Sequence, residues 1–142
     1  MPDSAAIDQA IVDALQADAT LAALMQAGVF VFVDEAPGGS TKFVIVSLVD
    51  ETDEAMFGGR AFEDALLLVE ARMLSTAGGN VKAAAARIDA LLDDGALTVA
   101  GYTRMALHRE KRIRLTEVDD ADPSIRWLRR GGHYRCQMSV GT

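Results

Sequence analysis

His108, His133 and Cys136 are the residues of this 142-residue chain best suited by type to bind a metal ion or attack a substrate. Zinc sites draw their ligands from CxxC pairs, from HExxH, or from two histidines one helical turn apart, and none of these spacings occurs. Each histidine instead falls on the polar alternation of a strand-like segment. Cys136 falls on the apolar alternation, which predicts a buried, inert thiol without the base and orienting group that a nucleophile needs. The acid pairs Asp50, Glu51 and Asp93, Asp94 are of the right type for a hard cation, but the glycine and terminal glutamate of a calcium loop are missing around them. The glycine pairs that begin at Gly38, Gly58, Gly78 and Gly131 do not have the GxGxxG or GxxxxGK spacing that cradles phosphate, so they read as loop hinges. No catalytic, cofactor or metal site is expected.

The chemistry that remains is the chemistry of contact. Arg126, Trp127, Arg129 and Arg130 place three guanidinium groups around the only tryptophan, a composition favoured at protein interfaces and also able to stack on nucleic acid. The plainer alternative is that Trp127 fills the core of a sheet. A net charge of −7 and the lack of a recognition motif argue against sequence-specific nucleic-acid binding. Met56 and Phe57, an apolar pair ahead of Gly58 and Gly59, join these four as candidate interface residues.

The two parts of the chain differ in charge. Residues 1–100 hold 16 acids and 5 bases, whereas residues 101–142 hold 5 acids and 9 bases. That asymmetry suits head-to-tail or ring-like self-association, in which the acidic face of one copy meets the basic face of the next; two solvated faces explain it equally. Half of the residues are hydrophobic, yet no apolar run approaches the ~20 residues needed to span a bilayer, so no membrane association is expected. The opening MPDSAAIDQA lacks the basic and apolar regions of a secretory signal, which predicts a cytoplasmic protein. One cysteine allows no internal disulfide.

These residues must be positioned by elements that the periodicity outlines. Ile7, Ala10, Ile11, Ala14 and Leu15 recur at helical spacing after a cap at Asp3 or Ser4, and Thr20 is placed to cap a short second helix that Gly28 ends. Val29 to Val33 and Phe43 to Val49 read as strands around a PGGST loop, the second strand buried on both faces. Asp50 to Ala61 is acidic and reads as a loop. Phe62 to Leu74 fits either period, and the alternation of Val69, Ala71 and Met73 with Glu70 and Arg72 favours a strand. Asn80 caps a helix whose stripe runs through Val81, Ala84, Ala85, Ile88, Leu91 and Leu92. Strand, helix and next strand would form a right-handed βαβ unit. The last two segments alternate with period two, with Met105, Leu107, Ile113 and Leu115 on one parity of the first and Tyr134, Cys136, Met138 and Val140 on one parity of the second. The expected fold is a single α+β (α/β) domain over residues 1–142. Its mixed, mostly antiparallel sheet would have four to five strands, two to three helices packed on it, and a long C-terminal β-hairpin whose edge another subunit can use.

The order of these elements resembles the tail-completion or tail-terminator proteins of long-tailed bacteriophages and of gene transfer agents. The likeness is carried by IDQAIVDALQADATLAAL (Ile7 to Leu24), KFVIVSLVDETD (Lys42 to Asp53), VEARMLSTAGGNVKAAAARIDALLDD (Val69 to Asp94) and GGHYRCQMSV (Gly131 to Val140). It implies a structural virion protein, not an enzyme. The protein would form a homohexameric ring at the head-proximal end of the tail tube, stop tube polymerisation and present a surface to the head–tail connector. Its partners would be its own copies, the tail tube protein and the connector or adaptor, with genomic DNA passing through unbound. It would be made in the cytoplasm of a bacterial host and reside in the virion tail. Asp50, Glu51, Asp53 and Glu54 are candidates for a lumen surface that repels phosphate, or form a solvated turn. The rival reading is a stand-alone bacterial α/β ligand-binding or regulatory domain.

Overall fold

The computed structural model of the chain describes the backbone of residues 4–56, 59–93, 97, 99, 102–118, 122 and 124–140, and the side chains of residues 7–49, 64–93, 97, 99, 106–118, 122 and 124–138. Helix α1 (Ser4–Gln16) forms where the apolar spacing predicts it, because Ile7, Ile11 and Leu15 stack on one side and are all buried. Helix α2 (Ala19–Ala22) is a single turn. Its cap is Asp18, not the expected Thr20: the Asp18 carboxylate accepts the Leu21 N–H at 2.9 Å and also two hydrogen bonds from Arg87, a pairing that a threonine hydroxyl lacks the charge to hold. The helix ends at its C-cap Ala23, well before Gly28. That glycine, at φ 79°, turns the chain ahead of strand β1 (Val31–Val33).

Strands β2 (Lys42–Met56) and β3 (Gly59–Leu74) pair antiparallel along their whole lengths. The acidic segment expected as a loop thus belongs to β2 as far as Met56, and Gly59 to Ala61 belong to β3. Aspartate and glutamate are poor strand formers, but the scale spans only ~1 kcal/mol, and continuous pairing of backbone groups outweighs it. Burial of β2 on both faces holds for Phe43, Val44, Ile45 and Val46 and ends at Leu48 and Val49, which are exposed.

Helix α3 (Val81–Leu92) starts at the predicted cap, with Asn80 Oδ1 accepting the Ala83 N–H at 3.0 Å, and buries Ala84, Ile88 and Leu92. Strands β4 (Tyr102–Val118) and β5 (Arg126–Val140) form the C-terminal hairpin. The sheet order is β1-β2-β3-β5-β4, with β1 parallel to β2 and the other neighbours antiparallel. This α+β arrangement departs from a simple βαβ unit. Strands β3 and β4 do run parallel and are joined through α3, but the hairpin folds β5 back between them. The core is one layer deep, with Ile11, Leu15, Leu21, Ala84 and Ile88 packed against Val44, Val46, Leu67, Val69, Ala71, Tyr134 and Cys136.

A β-bulge corrects the expected parity of β4. The register steps from Arg109↔Tyr134 to Lys111↔His133, so Glu110 is an extra residue and every side chain beyond it changes face. Leu107 stays on the core side, whereas Ile113 and Leu115 move to the open face and Arg112 and Arg114 turn toward α3. Gly131 has a specific duty in β5. A Cβ there would collide with the Val69 carbonyl and with the Glu70 Cα at 2.5 Å, so the close approach of β3 and β5 requires glycine.

Candidate interaction surface

With all helices on one side, the other side of the sheet is an open face. Its centre holds Glu70, fully buried although it sits on the polar alternation of β3. Glu70 Oε1 accepts from Arg72 Nε at 2.6 Å, Arg129 Nε at 2.9 Å and Arg129 Nη2 at 2.7 Å. Arg129 reaches on to Glu117 through Nη1. Burial alone would lower the Arg129 pKa; the hydrogen bonds and charges of Glu70 and Glu117 more than reverse this and hold it above its ordinary value. Glu70 Oε2 accepts no hydrogen bond among the described residues. Farther along β5, the strand that carries Arg129, Arg135 joins Asp64 at 2.6 Å and Glu110 at 3.1 Å on the same face.

Beside this network lies an aromatic ladder. The Trp127 ring meets Phe43 edge-on at 5.6 Å, and Phe43 meets Phe32 at 6.2 Å. Trp127 is half-buried, so it takes part in packing while keeping one side at the surface. A cleft of about 350 Å³ between this ladder and the loop of residues 35–40 is lined by Phe43, Arg72, Trp127 and Arg129.

Strand alternation divides the arginine–tryptophan cluster read from the sequence. Trp127 and Arg129 lie on the open face; Arg126 and Arg130 have the opposite parity, and the Arg126 N–H donates to Ser75 Oγ at 3.1 Å. Arg130 lines a groove of about 380 Å³ between α3 and the hairpin, together with Lys82, Arg112 and Arg114. None of these four cations forms an ion pair among the described residues. At the same groove Arg109 is fully engaged: Asp89 Oδ2 holds its guanidinium at 2.6 Å and Asp93 Oδ1 accepts its N–H at 2.8 Å. The Tyr134 hydroxyl donates to Asp89 Oδ1 at 3.0 Å, and burial, followed by the Asp89 charge, pushes its pKa well up.

Asp50, Glu51, Asp53 and Glu54 stand on the second half of β2, and Met56 ends that strand. Phe57 lies outside the described residues. His108 and His133 pair with Arg135 and Lys111 on the open face, whereas Cys136 is buried on the core side, so the sheet separates the three. Among the described residues no three His, Cys, Asp or Glu side chains come together in a way that could hold a metal ion. None of the helices described is long and apolar enough to cross a membrane.

Sequence reasoning missed Glu70, Arg72 and the unpaired basic groove. Glu70 alternates like any solvated strand residue, and the one signal available was Gly131, whose missing side chain lets β3 and β5 close over it.

No protein-family model and no curated protein matches the chain. Among solved structures it is similar to a chain in the virion of a native gene transfer agent particle, with a TM-score of 0.58 and 26% sequence identity, the match covering 96% of this chain and 96% of that one.

Proposed function

We propose that the chain is a structural protein of a phage-type virion or gene transfer agent particle. Within such a particle it would be the tail terminator: a ring, six-fold by the resemblance, that sits on the head-proximal end of the tail tube, stops its growth and faces the head connector. The observation that carries this reading is the likeness to a gene transfer agent virion chain over nearly all of both chains. The surface supports it. A ring needs two different patches on each subunit, and the chain offers an open face with aromatic and ionic contacts and a separate basic groove.

Trp127, with Phe43 and Arg129 around it, is placed to be a contact anchor on the open face, since a half-buried aromatic residue beside arginine is the usual composition of an interface hot spot. The test is sedimentation or native mass spectrometry of the purified chain, alone and mixed with tail tubes. A ring, or a monomer that caps tube ends as a ring, is the expected result. A stable monomer or dimer indifferent to tubes would overturn it and leave the stand-alone ligand-binding reading. Trp127→Ala with Arg130→Glu is expected to abolish assembly while retaining the far-UV circular dichroism of the native fold.

A further inference from the structure

The sheet has two free edges of opposite charge. On β2, strand β1 covers only Val44 to Val46, and the Asp34 N–H bonded to the Val46 carbonyl at 3.0 Å is the last backbone contact on that side among the described residues. Residues Ser47 to Met56 continue as strand with β3 as their one strand partner among the described residues, and they carry four acids and no base. On the far side of the sheet β4 is the terminal strand. Asp93 occupies its edge at the Arg109 N–H, beyond which Lys111 to Val118 have no strand partner but β5 among the described residues and carry three bases and one acid.

An unpaired strand exposes a row of backbone donors and acceptors that another strand can complete, and apolar side chains on such an edge mark it for pairing. Six large hydrophobic residues are exposed on the described surface, and four of them sit on these two edges: Leu48 (39%) and Val49 (50%) on β2, Leu115 (44%) and Val118 (49%) on β4. The free lengths match as well, since eight residues of β4 span about 27 Å and fit within the ten of β2. Like charges disfavour β2 pairing with β2 or β4 with β4.

We infer that the β4 edge of one copy, from Lys111 to Val118, adds to the β2 edge of the next, from Ser47 to Met56, so that the sheet continues from subunit to subunit. The contact is heterologous and leaves both edges available on every copy, so it propagates until it closes. It rests on the ring reading above only in requiring two unlike patches. The acids of β2 would then face a neighbour's cations and not the lumen.

Two variants test this in pairs. Asp50→Lys, Glu51→Lys and Asp53→Lys together leave the β2 edge with three bases and one acid, so that both edges are basic, and Arg112→Glu with Arg114→Glu leaves the β4 edge with three acids and one base, so that both are acidic. Each alone is expected to associate at least tenfold more weakly than the wild type by sedimentation. Their equimolar mixture is expected to recover wild-type assembly, because the basic β4 of the first meets the acidic β2 of the second and the reverse pairing also holds. Fold is checked by circular dichroism. If either variant fails to fold, Thr52→Cys and Thr116→Cys proteins replace them, and a bis-maleimide is expected to join the two in a mixture more efficiently than either with itself. Wild-type rings that form while the reversals have no effect, or while the mixture stays dissociated, overturn the edge pairing and leave the ring reading standing. A wild type that never associates, with or without tubes, overturns both.

Discussion

Arg129 clamps Glu70 with two nitrogens, Nε at 2.9 Å and Nη2 at 2.7 Å, and the carboxylate it holds is entirely out of solvent on a face that no helix covers. Removing one partner of a buried pair strands the other charge, whereas replacing the whole pair with apolar groups of similar volume costs little. Arg129→Ala is therefore expected to destabilise the fold by about 2 kcal/mol, less than the ~3–5 of a fully orphaned charge because Arg72 remains. Glu70→Met removes the one fully buried charge and leaves Arg72 and Arg129 partly exposed, with Arg129 still paired to Glu117, so it is expected to change stability by less than about 1 kcal/mol, and Arg129→Ala added to it to cost far less than it does alone. Urea unfolding of the four proteins measures the cycle; equal Arg129→Ala penalties in both backgrounds would show that the clamp does not couple the two residues.

Gly131 makes that buried site possible. Because a Cβ would stand 2.5 Å from the Glu70 Cα and still closer to the Val69 carbonyl, Gly131→Ala must push β3 and β5 apart at the middle of the sheet. The expected loss is about 1–3 kcal/mol or more, as for other overpacked sites. Gly38→Ala is the control, since its added methyl meets nothing within 4 Å and its φ is not in the left-handed region. Comparable thermal midpoints for the two variants would refute the close-approach explanation.

The elements that the sequence shows well are those whose burial repeats at a fixed period. Ala84, Ile88 and Leu92 on α3, and Tyr134, Cys136 and Met138 on β5, are buried as their spacing predicts. What escapes the sequence depends on single residues or distant partners. Glu110 adds one residue to β4 and moves Ile113 and Leu115 to the other face, an event that no periodicity marks. Gln16 and Gln26 look like ordinary polar helix and loop residues, yet Gln16 Oε1 accepts the Phe30 and Val31 N–H groups and Gln26 Oε1 accepts that of Thr41. Four interface candidates within one short stretch, Arg126, Trp127, Arg129 and Arg130, read as one patch until strand alternation divides them. The insertion of β5 between β3 and β4 is set by long-range pairing, which local patterns do not encode.

Asp18 links two helices through Arg87, and its pKa is held below the ordinary 3.8, chiefly by that hydrogen bond. A carboxylate whose folded pKa is depressed contributes stability that is complete above its unfolded pKa and is lost as pH falls through the folded one. Arg87→Ala is thus expected to lower the thermal midpoint above about pH 5 and to have a shrinking effect below pH 4, where Asp18 takes up its proton in both proteins. Melting curves from pH 2.5 to 6 decide it. A penalty from Arg87→Ala that is constant across that range would mean the ion pair is not what Arg87 contributes.

Cys136 sits at full burial beneath α3, and desolvation, followed by the charge of Asp64, pushes its thiol pKa up to about 12. Only the thiolate attacks a disulfide reagent, so at pH 8 roughly one molecule in ten thousand carries the reactive form, about a thousandfold fewer than for a free thiol of pKa 9. Burial also denies the reagent access until the sheet opens. Native protein is therefore expected to react with an aromatic disulfide reagent at least about a thousandfold more slowly at pH 8 than the same protein in guanidinium chloride. Raising the pH to 9 should accelerate the native reaction about tenfold if it proceeds through rare thiolate in the folded state. If opening limits the rate, the native reaction should become independent of reagent concentration instead. Complete labelling of the folded chain within minutes at pH 8 would place the thiol at the surface and undo the assignment of β5's apolar parity to the core.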